Sequence, residues 1–367
     1  MNRLSETLVR GNNNFDLIRL MAALAVMFGH SYGVQGAKEM ELMLRFSHIE
    51  SSGSVAVYAF FMISGMLVSA SFVNQASVKR FIALRMLRIW PGAMACAAFI
   101  ALVVGPVFSV LPSTTYFTDT GLYRWLFHNV LLIDPVGGPL PRVFEGNHLK
   151  SLVNATVWTL PVELKCYVIV LVAGLLGCMG SRRRTVIVVA VVGLVFAIFA
   201  NHPPKYFSLG AFFVLPLAYS FYPVPFFLLG MLLYAFRDHV RLDWRLAVAL
   251  SGIYLIVRYS WFGYVLFYPT LVYGLLCLGA APMLRRFVPK HDYSYGIYLY
   301  GFVVQQAVAY FYPAMSSGLS LMFAVPVTVV LAAASWHLVE RPCLASFRRR
   351  GVSAGKAGAR TIEVPGP

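Results

Sequence analysis

Residues 15–34, FDLIRLMAALAVMFGHSYGV, decide the fold. About 20 mostly apolar residues, coiled as a helix, cross a hydrocarbon core of roughly 30 Å. Yet this stretch carries Arg19 and His30. An ionisable group in a spanning helix costs about 2.5–3.5 kcal/mol on insertion scales, so it faces protein or water rather than lipid. Eleven positions separate the two residues. That is about three turns with a surplus of about 20°, and a rise of roughly 16 Å. One helix face therefore holds a fixed cation near one end and a titratable imidazole near the other. Arg binds phosphate or carboxylate and cannot act as a base at neutral pH. His exchanges protons near neutrality. The plainer alternative is a snorkelling Arg with a His bonded to a neighbouring helix.

The rest of the chain agrees with a membrane reading. Of its 367 residues 59% are hydrophobic and only 12% charged, against about 25% charged in a soluble domain. Mean hydropathy is +0.72. The expected class is all-α, a polytopic helical bundle. Its net charge of +16 would suggest nucleic acid in a soluble protein. Here the basic residues sit between apolar runs, so topology explains them and no nucleic acid is expected. Cys96, Cys166, Cys178, Cys277 and Cys343 form no CxxC pair and no ligand spacing with His. Neither a disulfide framework nor a metal site is expected. The first apolar run is too long for a cleaved signal and reads as an anchor.

Ten spans are predicted, near 15–34, 54–73, 91–110, 157–178, 185–201, 211–236, 245–261, 264–284, 294–313 and 318–339. Pro216, Pro223 and Pro225 imply a kink or an unwound entry in the sixth. Basic clusters fall on alternate loops: Lys79 and Arg80; Arg182, Arg183 and Arg184; Arg237, Arg241 and Arg245; Arg285, Arg286 and Lys290. The positive-inside rule then places both termini in the cytoplasm. Residues 1–14 form a cytoplasmic segment, 15–344 the transmembrane domain, and 345–367 a basic tail expected to be disordered. The longest loop, about 111–156, is external, and its aromatic and Pro content predicts an ordered cap. Asn154-Ala155-Thr156 fits a glycosylation sequon, a weak match.

Three further clusters carry chemistry. In KRFIALRMLRIWPG, from Lys79, the side chains of Arg85 and Arg88 share a helix face ahead of a span. Guanidinium forks there suit phosphate, whereas Lys79 and Arg80 read as topology-setting charge. In NATVWTLPVELKCY, from Asn154, Glu163 lies one to two turns into a span from the outer surface. A carboxylate so placed needs a partner, Lys165 or Arg258, or does acid–base work. Trp158 and Thr159 are candidates to line a sugar site, with an interfacial aromatic belt as the alternative. In SYGIYLYGFVVQQ, from Ser294, the residues Tyr295, Tyr298, Gln305 and Gln306 give one span several hydroxyls and amides. Helix packing by small and polar residues is the alternative. Glu340-Arg341-Pro342 reads as the structural end of the last span.

Taken together these segments resemble the acyltransferase-3 family of integral membrane O-acyltransferases. Arg19-x10-His30 is similar to its first-helix motif, and Arg85-Met86-Leu87-Arg88 with IWPG to its cytoplasmic Arg motif. Asn154 with WTLPVE, SYGIYLYG and the closing WHLVERP complete the likeness in order. It covers roughly residues 13–345. One departure is Gly301, where many members place a His, so no catalytic role is assigned there. The resemblance implies a membrane O-acyltransferase, moving an acyl group, acetyl by default, from cytoplasmic acyl-CoA to a hydroxyl of an extracytoplasmic glycan. The acceptor would be a surface polysaccharide, an O-antigen or a lipid-linked sugar. Acyl-CoA is then a donor substrate and no cofactor is bound. Arg19, Arg85 and Arg88 would bind the acyl-CoA. His30 would be catalytic, as base or as acyl carrier, with Glu163 orienting it or the acceptor hydroxyl. Asn154, Trp158, Thr159, Tyr295 and Tyr298 would bind the acceptor. The expected location is a bacterial inner membrane, with oligomeric state open. The rival reading is a glycan or lipid transporter without acyl chemistry, for which broken helices and buried ionisable groups would also serve.

Overall fold

The computed structural model describes residues 2–9, 11–75, 77–133, 139–201 and 223–347. The protein is an all-α bundle with six helices long and apolar enough to cross a membrane, plus shorter apolar ones. The helices are α1 (Phe15–Val34), α2 (Ser52–Val73), α3 (Val78–Phe99), α4 (Thr120–Leu131), α5 (Thr159–Leu175) and α6 (Arg182–Asn201). Then follow α7 (Val224–Ala235), α8 (Trp244–Val257), α9 (Trp261–Ala280), α10 (Ser294–Phe311) and α11 (Ser317–Ser335). Each predicted span falls on one of them. Residues 202–222, which hold the first part of the sixth span, and 348–367, most of the tail, lie outside the described residues.

Local chemistry sets the starts. The hydroxyls of Ser51, Ser77 and Ser316 accept from the amides of Ser54, Arg80 and Leu319 at the heads of α2, α3 and α11. Asp243 does the same for α8. Two sequence-predicted ends are corrected. The third helix starts at Val78 rather than near Pro91, and Pro91 is carried inside it. The helix runs on through a π-turn, Ile100–Val104, to Phe108. The last helix does not stop at Glu340. A π-turn, Trp336–Glu340, leads it on to Phe347, and Pro342 is accommodated in the turn that follows. At Pro342 the widened turn directly ahead absorbs the missing donor without ending the helix.

Helix α2 is the hub, with 61% of its apolar window buried against 22% for α9, which faces outward. A Cβ on Gly65 would overlap the carbonyl of Phe227, and one on Gly230 would overlap that of Met62. The backbones of α2 and α7 therefore touch, the small-residue packing expected between helices in lipid. Helix α1 packs between α2, α10 and α11.

The connections sort into two ends. At the Arg19 end the strand Asn2–Arg3 pairs with Arg241–Leu242, Asn14 reaches the carbonyls of Leu278 and Ala281, and Arg182 meets His239 at 3.0 Å. At the His30 end Tyr58 and Tyr268 both donate to Glu50, Arg258 stacks on Phe46, and Gly36 lies against His148.

The ordered cap expected of the long loop is present in its described parts. Helix α4 is fastened by the Trp90 indole, which donates to the carbonyl of Val130 at 2.7 Å. Further on, the chain dips into the bundle alongside α10. Asn147 bonds to Gln306, Gln306 to the carbonyls of Leu149 and Leu152, Asn154 to that of Leu299, and Thr156 to that of Tyr298. From Gln306 to Tyr298 is roughly 12 Å of helix rise. Irregular backbone is tolerated at such depth only when protein satisfies it, and the amides of Gln306 and Asn154 do so. The sequon at Asn154 is therefore buried and engaged.

Candidate functional site

Three arginines converge at the Arg19 end. Arg19 comes from the first turns of α1, Arg85 and Arg88 from one face of α3. Asp292, just before α10, accepts from Arg88 at 2.5 Å and lies 3.4 Å from Arg19. It also accepts from the amide of Ser294 at 3.1 Å and from the Ser294 hydroxyl. These side chains are 15–20% exposed. Burial alone would raise the Asp292 pKa, but the Arg88 and Arg19 guanidiniums outweigh it and hold the carboxyl well below the usual carboxylate range. Arg85 lies over the Tyr167 ring at 6.0 Å, and its buried Nε has no hydrogen-bond partner. Glu163, which lines a cavity with Arg19, and the buried Glu340, whose charge acts on Arg88, also lie at this end, so of the three guanidiniums it is Arg85 that makes no ion pair among the described residues.

Beside them is a small cavity of about 40 Å³, lined by Arg19, Phe60, Ser64, Glu163, Tyr295 and Tyr298 among others. Glu163 accepts from Ser64 at 3.2 Å and from the Tyr167 hydroxyl. This corrects the sequence expectation in two respects. Because the loop dips before α5 begins, Glu163 lines one cavity with Arg19, away from the His30 end. It stands at the opposite end of α1 from His30 and does not orient it. Arg258, one proposed partner, belongs to the other end of the bundle.

His30 lies near the far end of α1, its ring edge-on to Phe302 with centroids 5.2 Å apart. Its Nδ1 is buried, with no hydrogen-bond partner among the described residues. Tyr298, which walls the cavity, and Phe302 are one turn apart on α10. Phe302 and Met27 are both buried, and His30 does not line the cavity. The expectation that Arg19 and His30 share one cavity is therefore corrected: the cavity belongs to the Arg19 end. The departure at Gly301 has a packing reason, since a Cβ there would come within 2.7 Å of the Met27 Cγ.

The acceptor candidates are brought together, but with one another. Thr159 and Tyr298 hydroxyls meet at 2.7 Å, Tyr298 donates to the carbonyl of Thr156, and Tyr295 to that of Ile89 at 2.6 Å. Asn154 accepts from Thr156 and donates to Leu299. Trp158 is half-buried against the core. Four of the five hold the dipping loop, α5 and α3 onto α10, so as placed they brace the site. Asp292, Ser64 and Tyr167 are the residues that sequence reasoning missed. The signal for Asp292 was scarcity: with 14 acidic residues against 30 Lys and Arg, any carboxylate at the head of a span is a candidate counter-ion. Among the described residues no cluster of His, Cys, Asp or Glu could hold a metal.

This architecture was compared with known proteins. The family model described as "Acyltransferase domain", that of acyltransferase-3, matches residues 12–338. The chain belongs to the acyltransferase-3 family. It is 30% identical over 348 residues to an O-acetyl transferase of Shigella phage Sf6, covering 90% of this chain and 95% of that protein. It is also 30% identical over 360 residues to Nodulation protein 10 of Rhizobium leguminosarum bv. viciae, covering 90% and 93%. No solved structure matches it. The resemblance drawn from the five motifs holds, and this acyltransferase-3 protein is a membrane O-acyltransferase of the O-acetyltransferase type.

Proposed function

We propose that the enzyme takes an acetyl group from acetyl-CoA on the cytoplasmic side and esterifies a hydroxyl of a glycan on the other. The observation that carries this reading is the division of labour along α1. One end gathers three guanidiniums, two of them on Asp292 and the third over Tyr167, and the other holds an imidazole whose Nδ1 has no hydrogen-bond partner among the described residues. Basic segments gather at the Arg19 end, which supports placing that end in the cytoplasm, the inner membrane of a bacterium in our reading. Arg85, with Arg19 and Arg88, would receive the donor's phosphates. The acyl-bearing arm would run along α1 towards His30. His30 would take the proton of the sugar hydroxyl as its oxygen attacks the thioester carbon. The C–S bond breaks and the proton passes to the leaving thiolate, giving ester and free CoA. A relay through acetyl-His30 balances equally and is told apart by trapping labelled protein.

The test is transfer of label from [14C]acetyl-CoA to surface glycan by the purified protein, with loss of alkali-labile esters from the glycan of a deletion strain. Glycan that moves across the membrane without gaining label would establish the transporter reading instead.

A further inference from the structure

Helices α1 and α10 run parallel. Arg19 meets Asp292 at one end, and Val34 packs with Phe302 and Ala309 at the other. In the His30 half of this contact, Gln305 is only 1% exposed. Its Nε2 donates to the carbonyl of Met27 at 2.7 Å, while its Oε1 is buried with no partner among the described residues. Met27 is one turn before His30 on α1, and Phe302, which touches His30, is one turn before Gln305 on α10. The amide and the imidazole therefore hang within about one helical turn, roughly 5.4 Å, of each other along the axes.

A buried acceptor left without a donor costs about 1–3 kcal/mol, and native proteins leave few such atoms. Two such acceptors lie within this stretch of the α1–α10 contact, Gln305 Oε1 and His30 Nδ1, the latter when its ring is neutral and protonated on Nε2. The Met27 carbonyl fixes which way the Gln305 amide faces. The residues assigned to the acceptor from sequence are engaged elsewhere, and one hydroxyl has a single proton to give. Two hydroxyls on adjacent carbons have two.

We propose that Gln305 is an acceptor-binding residue, and that the acceptor presents a vicinal diol of a sugar ring. One hydroxyl donates to His30 and is acylated, and its neighbour donates to Gln305 Oε1. This rests on the acyl-transfer reading above and adds to it the residue that selects which hydroxyl reacts.

The experiment uses the purified full chain, [14C]acetyl-CoA, and two acceptors. One is the de-esterified surface glycan of the source cells. The other is a set of methyl hexopyranosides with their monodeoxy counterparts. Gln305→Leu and the isosteric Gln305→Met are expected to raise the glycan KM about tenfold while the acetyl-CoA KM stays within twofold of wild type. Wild type is expected to disfavour the sugar lacking the neighbouring hydroxyl about tenfold, and the variants to have lost that discrimination. An unchanged glycan KM overturns the proposal. So does a parallel rise in both KM values with a lower thermal midpoint, which would make Gln305 a strut between α1 and α10. If wild type moves no label to glycan, the acyl-transfer reading itself fails, a result distinct from either.

Discussion

Asp292 holds Arg88 at 2.5 Å and so joins the head of α10 to the middle of α3. The same carboxylate lies 3.4 Å from Arg19 on α1. One acid thus sets the spacing of two guanidiniums contributed by separate helices. Removing one partner of a largely buried pair leaves the others uncompensated. We expect Asp292→Asn to lower the thermal midpoint in detergent and to raise the acetyl-CoA KM about tenfold. A KM equal to wild type would confine Asp292 to holding the helices together.

The same pair has a pH signature. The folded Asp292 carboxyl titrates below its unfolded value of about 3.9. Its stabilising contribution is therefore complete above that pH and declines as the pH falls towards the lower folded value. The gap in thermal midpoint between wild type and Asp292→Asn should stay constant from pH 7 to about 5 and narrow below about 4. A gap that narrowed near pH 6 would point to a histidine instead.

Arg85 and Arg88 should separate on mutation. Among the described residues Arg85 has no carboxylate partner, so Arg85→Ala should weaken acetyl-CoA binding with little change in thermal midpoint. Arg88→Ala should do both, because it also strips Asp292 of its shorter contact. Isothermal titration with CoA and a melting series decide this. Equal effects on stability would mean that Arg85 serves mainly as packing over Tyr167.

His30→Ala should leave the protein in the membrane with its donor affinity intact and reduce label transfer at least 10³-fold, within the range of a general base. Glycan acetylation at wild-type rate in that variant would remove His30 from the reaction.

Gly301→His, which restores the residue many family members have, should destabilise the protein because Met27 occupies the space. Adding Met27→Ala should recover expression. A well-folded single variant would show that α1 and α10 yield more readily than their contact suggests.

Much of this protein was legible before any coordinates. Spans α1 and α10 are predicted almost to the residue, because an uninterrupted apolar run bounded by polar turns has no other stable home than a membrane helix. The Arg19–His30 pairing on α1 likewise follows from helix period alone. Arg85 and Arg88 were singled out for their spacing and their place before Ile89. Residues such as Pro91 misled, because a proline ends a helix in isolation but is absorbed where neighbouring helices hold the backbone.

The linear chain determined the class, the order of the helices and the presence of Arg19, His30 and Glu163 within spans, since each follows from local hydropathy and the fixed rise of a helix. Only tertiary structure decided who meets whom. Glu163 went to Arg19 rather than His30 because the loop before α5 descends along α10, a path set by the amides of Gln306 and Asn154. Asp292 joined Arg19 and Arg88 across more than 200 residues of sequence, and Gln305 reached the Met27 carbonyl, one turn before His30, because α1 and α10 run in parallel. Long-range pairing of this kind depends on how helices pack, and no local pattern in the chain encodes it.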